Sequence, residues 1–144
     1  MARLAQAQAR TCKFKHQIDR RVRHGQNLYA TSKVYNSRTD PAHFLIRWAM
    51  ERHADHRRIR RTPRTGSQVG TGIYDHYSAM IWSSTTKVGC AYATNCRGKW
   101  KTIVVCNYSK PGNVRRLGWY KKGKTCSKCP TGYRGCDKGL CTRR

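Results

Sequence analysis

The sequence predicts an α+β fold: helices ahead of a small antiparallel sheet, with a cysteine-held tail behind it. Three observations carry this. Apolar residues recur at helical spacing in the first third of the chain, and residues 101–108 read as a strand in which Thr102, Val104, Cys106 and Tyr108 alternate with Ile103 and Val105. Past Val114 the apolar rhythm stops, and four cysteines crowd into the segment from Cys126 to Cys141. A stretch with that composition cannot build a core and has to be held by sulfur.

The elements follow in order. Residues 3–15 read as a helix, with Leu4, Ala5, Ala7, Ala9 and Cys12 supplying propensity and a partial apolar stripe. Gly25-Gln26-Asn27-Leu28-Tyr29 breaks the pattern and reads as a loop. Asp40-Pro41 is a helix start, Asp capping and Pro at the first helical position. That helix should carry Phe44, Leu45, Trp48 and Ala49 on its apolar face, continue through a basic end from Arg52 to Arg61, and stop at Pro63 and Gly66. Residues 64–72 read as loop and 74–82 as a strand. Residues 87–92 and 101–108 read as an antiparallel pair around Asn95-Cys96-Arg97-Gly98, closed by the turn Lys110-Pro111-Gly112-Asn113. Trp48, Tyr77 and Trp82 sit at periodic positions expected in the core, and Trp100 is expected to pack as well. The expected division is a domain over 1–114 and a tail over 115–144.

The 144 residues include 31 Lys+Arg against 6 Asp+Glu, a formal charge of +25. Such a balance steers the protein toward polyanions. The densest run, Arg57-Arg58-Ile59-Arg60-Arg61-Thr62-Pro63-Arg64, is rich in guanidinium forks suited to phosphate and sulfate. Arg57, Arg58, Arg60, Arg61 and Arg64 are therefore the candidate polyanion-binding residues. The eight cysteines, Cys12, Cys90, Cys96, Cys106, Cys126, Cys129, Cys136 and Cys141, favour disulfides and an oxidising compartment. The rival reading pairs Cys126 and Cys129 with Cys136 and Cys141 as thiolates of a structural zinc site, but leaves the other cysteines without a role. No stretch is long enough to span a membrane, and Met1 to Gln6 lacks an apolar signal core. Sulfur bridges without a leader lead us to expect a mature form, a fragment of a longer chain or an incomplete gene model.

Five segments, in order, carry a family resemblance. Leu4 to His16 is an alanine-rich helix with a cysteine and a following histidine. Gly25 to Tyr29 resembles a Gly-Glu-Asn-Leu/Ile-Tyr motif, and Trp48-Ala-Met-Glu51 a Trp-x-x-Glu helix. Asp75-His76-Tyr77-Ser78-Ala79-Met80-Ile81-Trp82 resembles Gly-His-Tyr-Thr-Gln-x-x-Trp. Cys106-Asn107-Tyr108 with Pro111-Gly112-Asn113 matches a second signature. Together these resemble the CAP superfamily of cysteine-rich secretory proteins, venom allergens and class 1 pathogenesis-related proteins. Cys126 to Cys141 looks like the hinge of the secretory members, with a longer middle spacing.

The resemblance implies an α/β/α sandwich around a small antiparallel sheet, with the family's first helix lying ahead of Met1. It implies the pairs Cys12–Cys96, Cys90–Cys106, Cys126–Cys136 and Cys129–Cys141. It implies a secreted, extracellular, allergen-like protein of defence, venom or reproduction, working by binding and not as an enzyme. Its partner would be an anionic glycan, an acidic lipid surface or a protein receptor; that compartment argues against nucleic acid. The alternatives are a lipid or sterol carrier and a metal-dependent hydrolase. The family cleft commonly pairs two histidines with two glutamates, donors that suit zinc. Here Glu51 and His76 fall on the matching motifs, Gln26 replaces one glutamate, and the remaining histidine is expected in the leading helix. His16 and His24 cannot be assigned as its replacement from sequence. Two residual metal ligands, Glu51 and His76, and no cofactor are the expectation. A His76–Ser78–Glu51 triad is not supported: no nucleophile elbow surrounds Ser78.

Overall fold

The computed structural model describes residues 1–17, 21–36, 43–53, 75–114 and 119–143. Its elements are α1 (Ala2–Arg10), β1 (Gly25–Thr31), α2 (His43–Met50) with a 3-10 turn (Glu51–His53), α3 (Asp75–Met80), β2 (Val88–Ala93), β3 (Thr102–Tyr108), β4 (Gly135–Asp137) and β5 (Leu140–Thr142). β3 lies between β1 and β2, antiparallel to both.

The layering follows from the pleat. Successive side chains of a strand point to opposite faces, and β3 is buried along its whole length. Ile103 and Val105 face α1, packing with Ala5, Ala9 and Leu28. Val104, Cys106 and Tyr108 face α2 and α3, packing with Phe44, Trp48 and Ala79. The result is an α+β arrangement in three layers, with helices on both faces of a three-stranded antiparallel sheet.

Two expectations are corrected. Gly25 to Tyr29 is not a loop but the first part of β1, paired from Gly25↔Tyr108 to Thr31↔Thr102. Gly and Asn have poor strand propensity, and pairing with a buried central strand overrides it. Residues 74–82 are not a strand: α3 covers Asp75–Met80, and Ile81 N–H donates to Tyr77 O at 3.1 Å. Ser78, Ala79 and Trp82 are buried at i, i+1 and i+4, a helical face that so short a run does not distinguish from a strand. In addition, α1 stops at Arg10. Cys12 adopts φ 54°, turning the chain at the residue whose sulfur meets Cys96. The Asp40-Pro41 start, the basic end of the second helix and the 64–72 loop lie outside the described residues.

The structure holds four bridges, Cys12–Cys96, Cys90–Cys106, Cys126–Cys136 and Cys129–Cys141. The first, with Cα atoms 5.5 Å apart across a separation of 84 residues, ties the end of α1 to the loop between β2 and β3. In the tail, β4 and β5 form a hairpin with Cys136 opposite Cys141. Each of these bonds instead to the preceding turn, Cys136 to Cys126 and Cys141 to Cys129. In this hairpin only Gly135 is fully buried, so sulfur does the work of a core.

Gly89 fixes how closely α1 seats. A Cβ there would run into the backbone of Met1 and Ala2, which cannot yield as a side-chain tip can. Gly89→Ala should therefore cost about 2 kcal/mol through overpacking, measured as a fall in denaturant midpoint at constant slope. Unchanged stability would contradict this packing of α1.

Candidate functional site

The signature residues gather around a cleft of about 320 Å³. It is lined by His16, His24, Gly25, Gln26, Asn27, His76, Ala79, Pro111, Gly112 and Asn113. β1 brings Gln26 and Asn27, α3 brings His76, and the turn after β3 closes one side. A Cβ on Gly112 would come within 3.3 Å of the Ala79 α-carbon and of Trp82 Cγ, tighter than ordinary contact, so glycine lets this turn close against α3.

His76 is held from two sides. Trp48 stacks on its ring, centroids 5.4 Å apart and planes 10° from parallel. Glu51 Oε1 lies 2.7 Å from its Nδ1. The other carboxylate oxygen, Oε2, accepts the Tyr77 backbone N–H at 3.0 Å. Glu51 thus fastens the end of α2 to the start of α3, using both oxygens. The pair is only partly exposed, His76 at 32% and Glu51 at 19%.

Gln26 is the hub on the opposite wall. Its Nε2 donates to Gln8 Oε1 at 2.6 Å and to Asn107 Oδ1 at 2.9 Å. Its Oε1 lies 2.9 Å from His16 Nδ1 and accepts the Gln17 N–H at 3.3 Å. A carboxylate could accept from His16 but could not donate to Asn107 or Gln8, so this network suits the amide. Beneath it, Asn27 Nδ2 donates to His76 O at 3.0 Å and to the Tyr108 hydroxyl oxygen at 2.9 Å.

The structure brings His16 and His24 into the cleft with His76, which sequence reasoning left unassigned. What places His16 is the polar wall itself: Gln8 Nε2 donates to Lys15 O at 2.9 Å and His16 Nδ1 meets Gln26 Oε1, contacts that no local pattern in the sequence announces. His24 is turned onto its own loop, its Nδ1 2.7 Å from Val22 O. Glu51, by contrast, is not part of the cleft's lining, and its bonds to His76 and Tyr77 form a network separate from that of Gln26.

The donor set does not fit a preformed metal centre. Both Glu51 oxygens are engaged, and Gln26 is committed at both ends of its amide. Among the described residues, only Cys126, Cys129 and Cys141 bring three ligand-type atoms within 4.8 Å of one another, and all are in disulfides. Nor is there a nucleophile–base pair at Ser78. On the helix, Ser78 and His76 do not share a face, and Ser78 Oγ donates to Asn113 Oδ1 at 2.6 Å. Trp100 packs against Phe14 and carries Lys99 over its ring. Arg57, Arg58, Arg60, Arg61 and Arg64 lie outside the described residues. Among those described, no helix is long and apolar enough to cross a membrane.

The family model "CAP: Cysteine-rich secretory protein family" matches residues 1–108. The chain is 33% identical to Peptidase inhibitor 16 of Homo sapiens over 147 residues, covering 98% of this chain and 29% of that protein. It is 33% identical to Venom allergen 5 of Tityus serrulatus, covering 91% of this chain and 32% of that one. It thus spans about a third of the length of these relatives. The solved structure of BmVAL-1 superposes with a TM-score of 0.75 at 25% identity, over 99% of this chain and 73% of that one.

Two outcomes test the site. Glu51→Ala strands the Tyr77 N–H and a His76 ring nitrogen and should cost about 1–3 kcal/mol. Glu51→Gln, which retains an acceptor for one of them, should recover part of that in the same melts. Burial pushes the Tyr108 phenol up to about 12 from 10, against a smaller lowering by the Asn27 bond. A raised folded pKa leaves stability intact below pH 10, where both states are protonated. Stability then falls from pH 10 to about 12 as the unfolded chain ionises first, by roughly 2–3 kcal/mol. Denaturation at stepped pH should show this decline, and Tyr108→Phe should flatten it.

Proposed function

Because the chain belongs to the cysteine-rich secretory protein (CAP) family, we propose that it is an extracellular protein acting by binding an anionic partner, and not by catalysis. One observation carries the choice of partner: 31 Lys+Arg stand against 6 Asp+Glu. The described structure offers little internal relief from that imbalance, since Glu51 is already occupied by His76 and Tyr77. Lysines and arginines spread over the surface are left to attract counter-charge from outside.

The partner classes that match this chemistry are sulfated glycans, acidic lipid surfaces and acidic faces of protein receptors. The run from Arg57 to Arg64 supplies the highest density of guanidinium forks, which pair with sulfate and phosphate bidentately. The cleft supports a binding role over a hydrolytic one: His76 is braced by Glu51, the buried Ser78 nearby is bonded to Asn113, and no three ligand-type atoms of the described residues converge there. Its polar lining by histidine, glutamine and asparagine also gives no support to a sterol or lipid carrier at that position. The relatives' names, a peptidase inhibitor and a venom allergen, are in keeping with action through contact with other molecules.

Heparin chromatography tests this reading. The protein should elute only at elevated salt. Replacing Arg57, Arg58, Arg60, Arg61 and Arg64 together by Ser should lower heparin affinity by about tenfold or more, as expected for losing several screened charge contacts. Retention that survives the five replacements would move the contact elsewhere; absence of retention in the parent protein would end the proposal.

A further inference from the structure

Away from the histidine cleft, a second concavity of about 440 Å³ separates the end of α3 from the cysteine-held tail. Ser83, in its lining, donates its N–H to Trp119 O at 2.7 Å and so joins the segment after α3 to the tail. Beyond that mooring the chain swings out to Cys126 and returns through β5. The opening left between is within the usual range of small-ligand sites, ~300–1,000 Å³.

Its lining divides by chemistry. Met80, Ile81 and Trp82, at the end of α3, supply an apolar wall. The tail supplies Tyr120 and Leu140, 55% and 71% exposed, large apolar side chains left in water on the same concavity. Lys121, Lys124 and Lys128 also line it, and no acidic residue appears among its described lining. A further polar atom stands there without a partner: Thr85 Oγ1 is closed off from solvent and makes no hydrogen bond. Lysine ammoniums are compact charges suited to a carboxylate or sulfonate, and apolar surface left bare in water gains on being covered.

We infer that this groove is a binding site for a small amphiphilic organic anion, its apolar body lying on Trp82, Tyr120 and Leu140 and its acidic head among the three lysines. The charge complementarity selects an anion, and the uncovered Leu140 and Tyr120 select one with an apolar body over inorganic sulfate. The site uses none of the arginines proposed for polyanions, so the two proposals fail independently.

The probe is 1-anilinonaphthalene-8-sulfonate, followed by fluorescence and displaced with dodecanoate. One saturable site is expected. Lys121→Glu/Lys124→Glu/Lys128→Glu should weaken it at least tenfold. The charge-matched control Lys13→Glu/Lys33→Glu/Lys87→Glu, at exposed positions outside the groove, should change it less than threefold. Leu140→Ser should weaken it severalfold with no change in charge, and near-ultraviolet circular dichroism should show every variant folded. The five-arginine serine variant should retain probe binding whatever its behaviour on heparin. Equal weakening by the two lysine triples, or full binding by the groove triple, would overturn the assignment.

Discussion

The burial of β3 on both faces is the constraint from which the rest of the molecule follows. A strand covered on one side only needs to alternate apolar and polar residues, whereas β3 must satisfy two cores at once. Ile103 and Val105 commit one face to α1, and Val104, Cys106 and Tyr108 commit the other to α2 and α3. Because side chains alternate, a slip of one residue would exchange the two sets, so the register is strongly specified. The Cys90–Cys106 bridge joins directly opposed residues of β2 and β3 and reinforces it. The cleft inherits its geometry from this strand: Asn107 meets Gln26, and the Tyr108 hydroxyl meets Asn27.

The cleft wall is built from amides more than from charges. Gln8, Gln26 and Asn107 exchange hydrogen bonds whose directions only amides can satisfy together, and Asn27 continues the arrangement beneath His76. Buried polar groups of this kind are tolerated only when each donor and acceptor is met. Glu51 acts as a bracket, holding a ring and a backbone amide and so joining two different elements. The residues that resemble a reactive constellation thus serve largely to hold α1, β1, α2 and α3 at fixed distances.

Much of the sheet was legible in the sequence because its signals are local. The β-branched run around Val104 and the Asn95-to-Gly98 turn mark the β2–β3 pair, and Trp48 with Phe44 marks α2. β1 was hidden because its pairing depends on a partner far along the chain, and Gly25, Gln26 and Asn27 look like a turn in isolation. α3 was misread because its short apolar run carries too few residues to separate a period of two from one of 3.6. Glu51 and His76 were visible as motif positions, but their mutual contact was not. His16 escaped assignment because its place depends on Gln8 and Gln26, which reach this segment from α1 and β1, a tertiary fact.

That bridge has a consequence for the covalent life of the chain. Cys12 and Cys96 enclose the intervening sequence in a ring of main chain closed by sulfur, and Arg57 to Arg64 lie inside it. A protease specific for basic residues would find many sites there, yet a single cut would open the ring without releasing a piece. The nicked molecule would keep its mass, migrate intact on a non-reducing gel and separate into two fragments only after reduction. The most arginine-dense part of the sequence is therefore also a part that can be severed once without being lost.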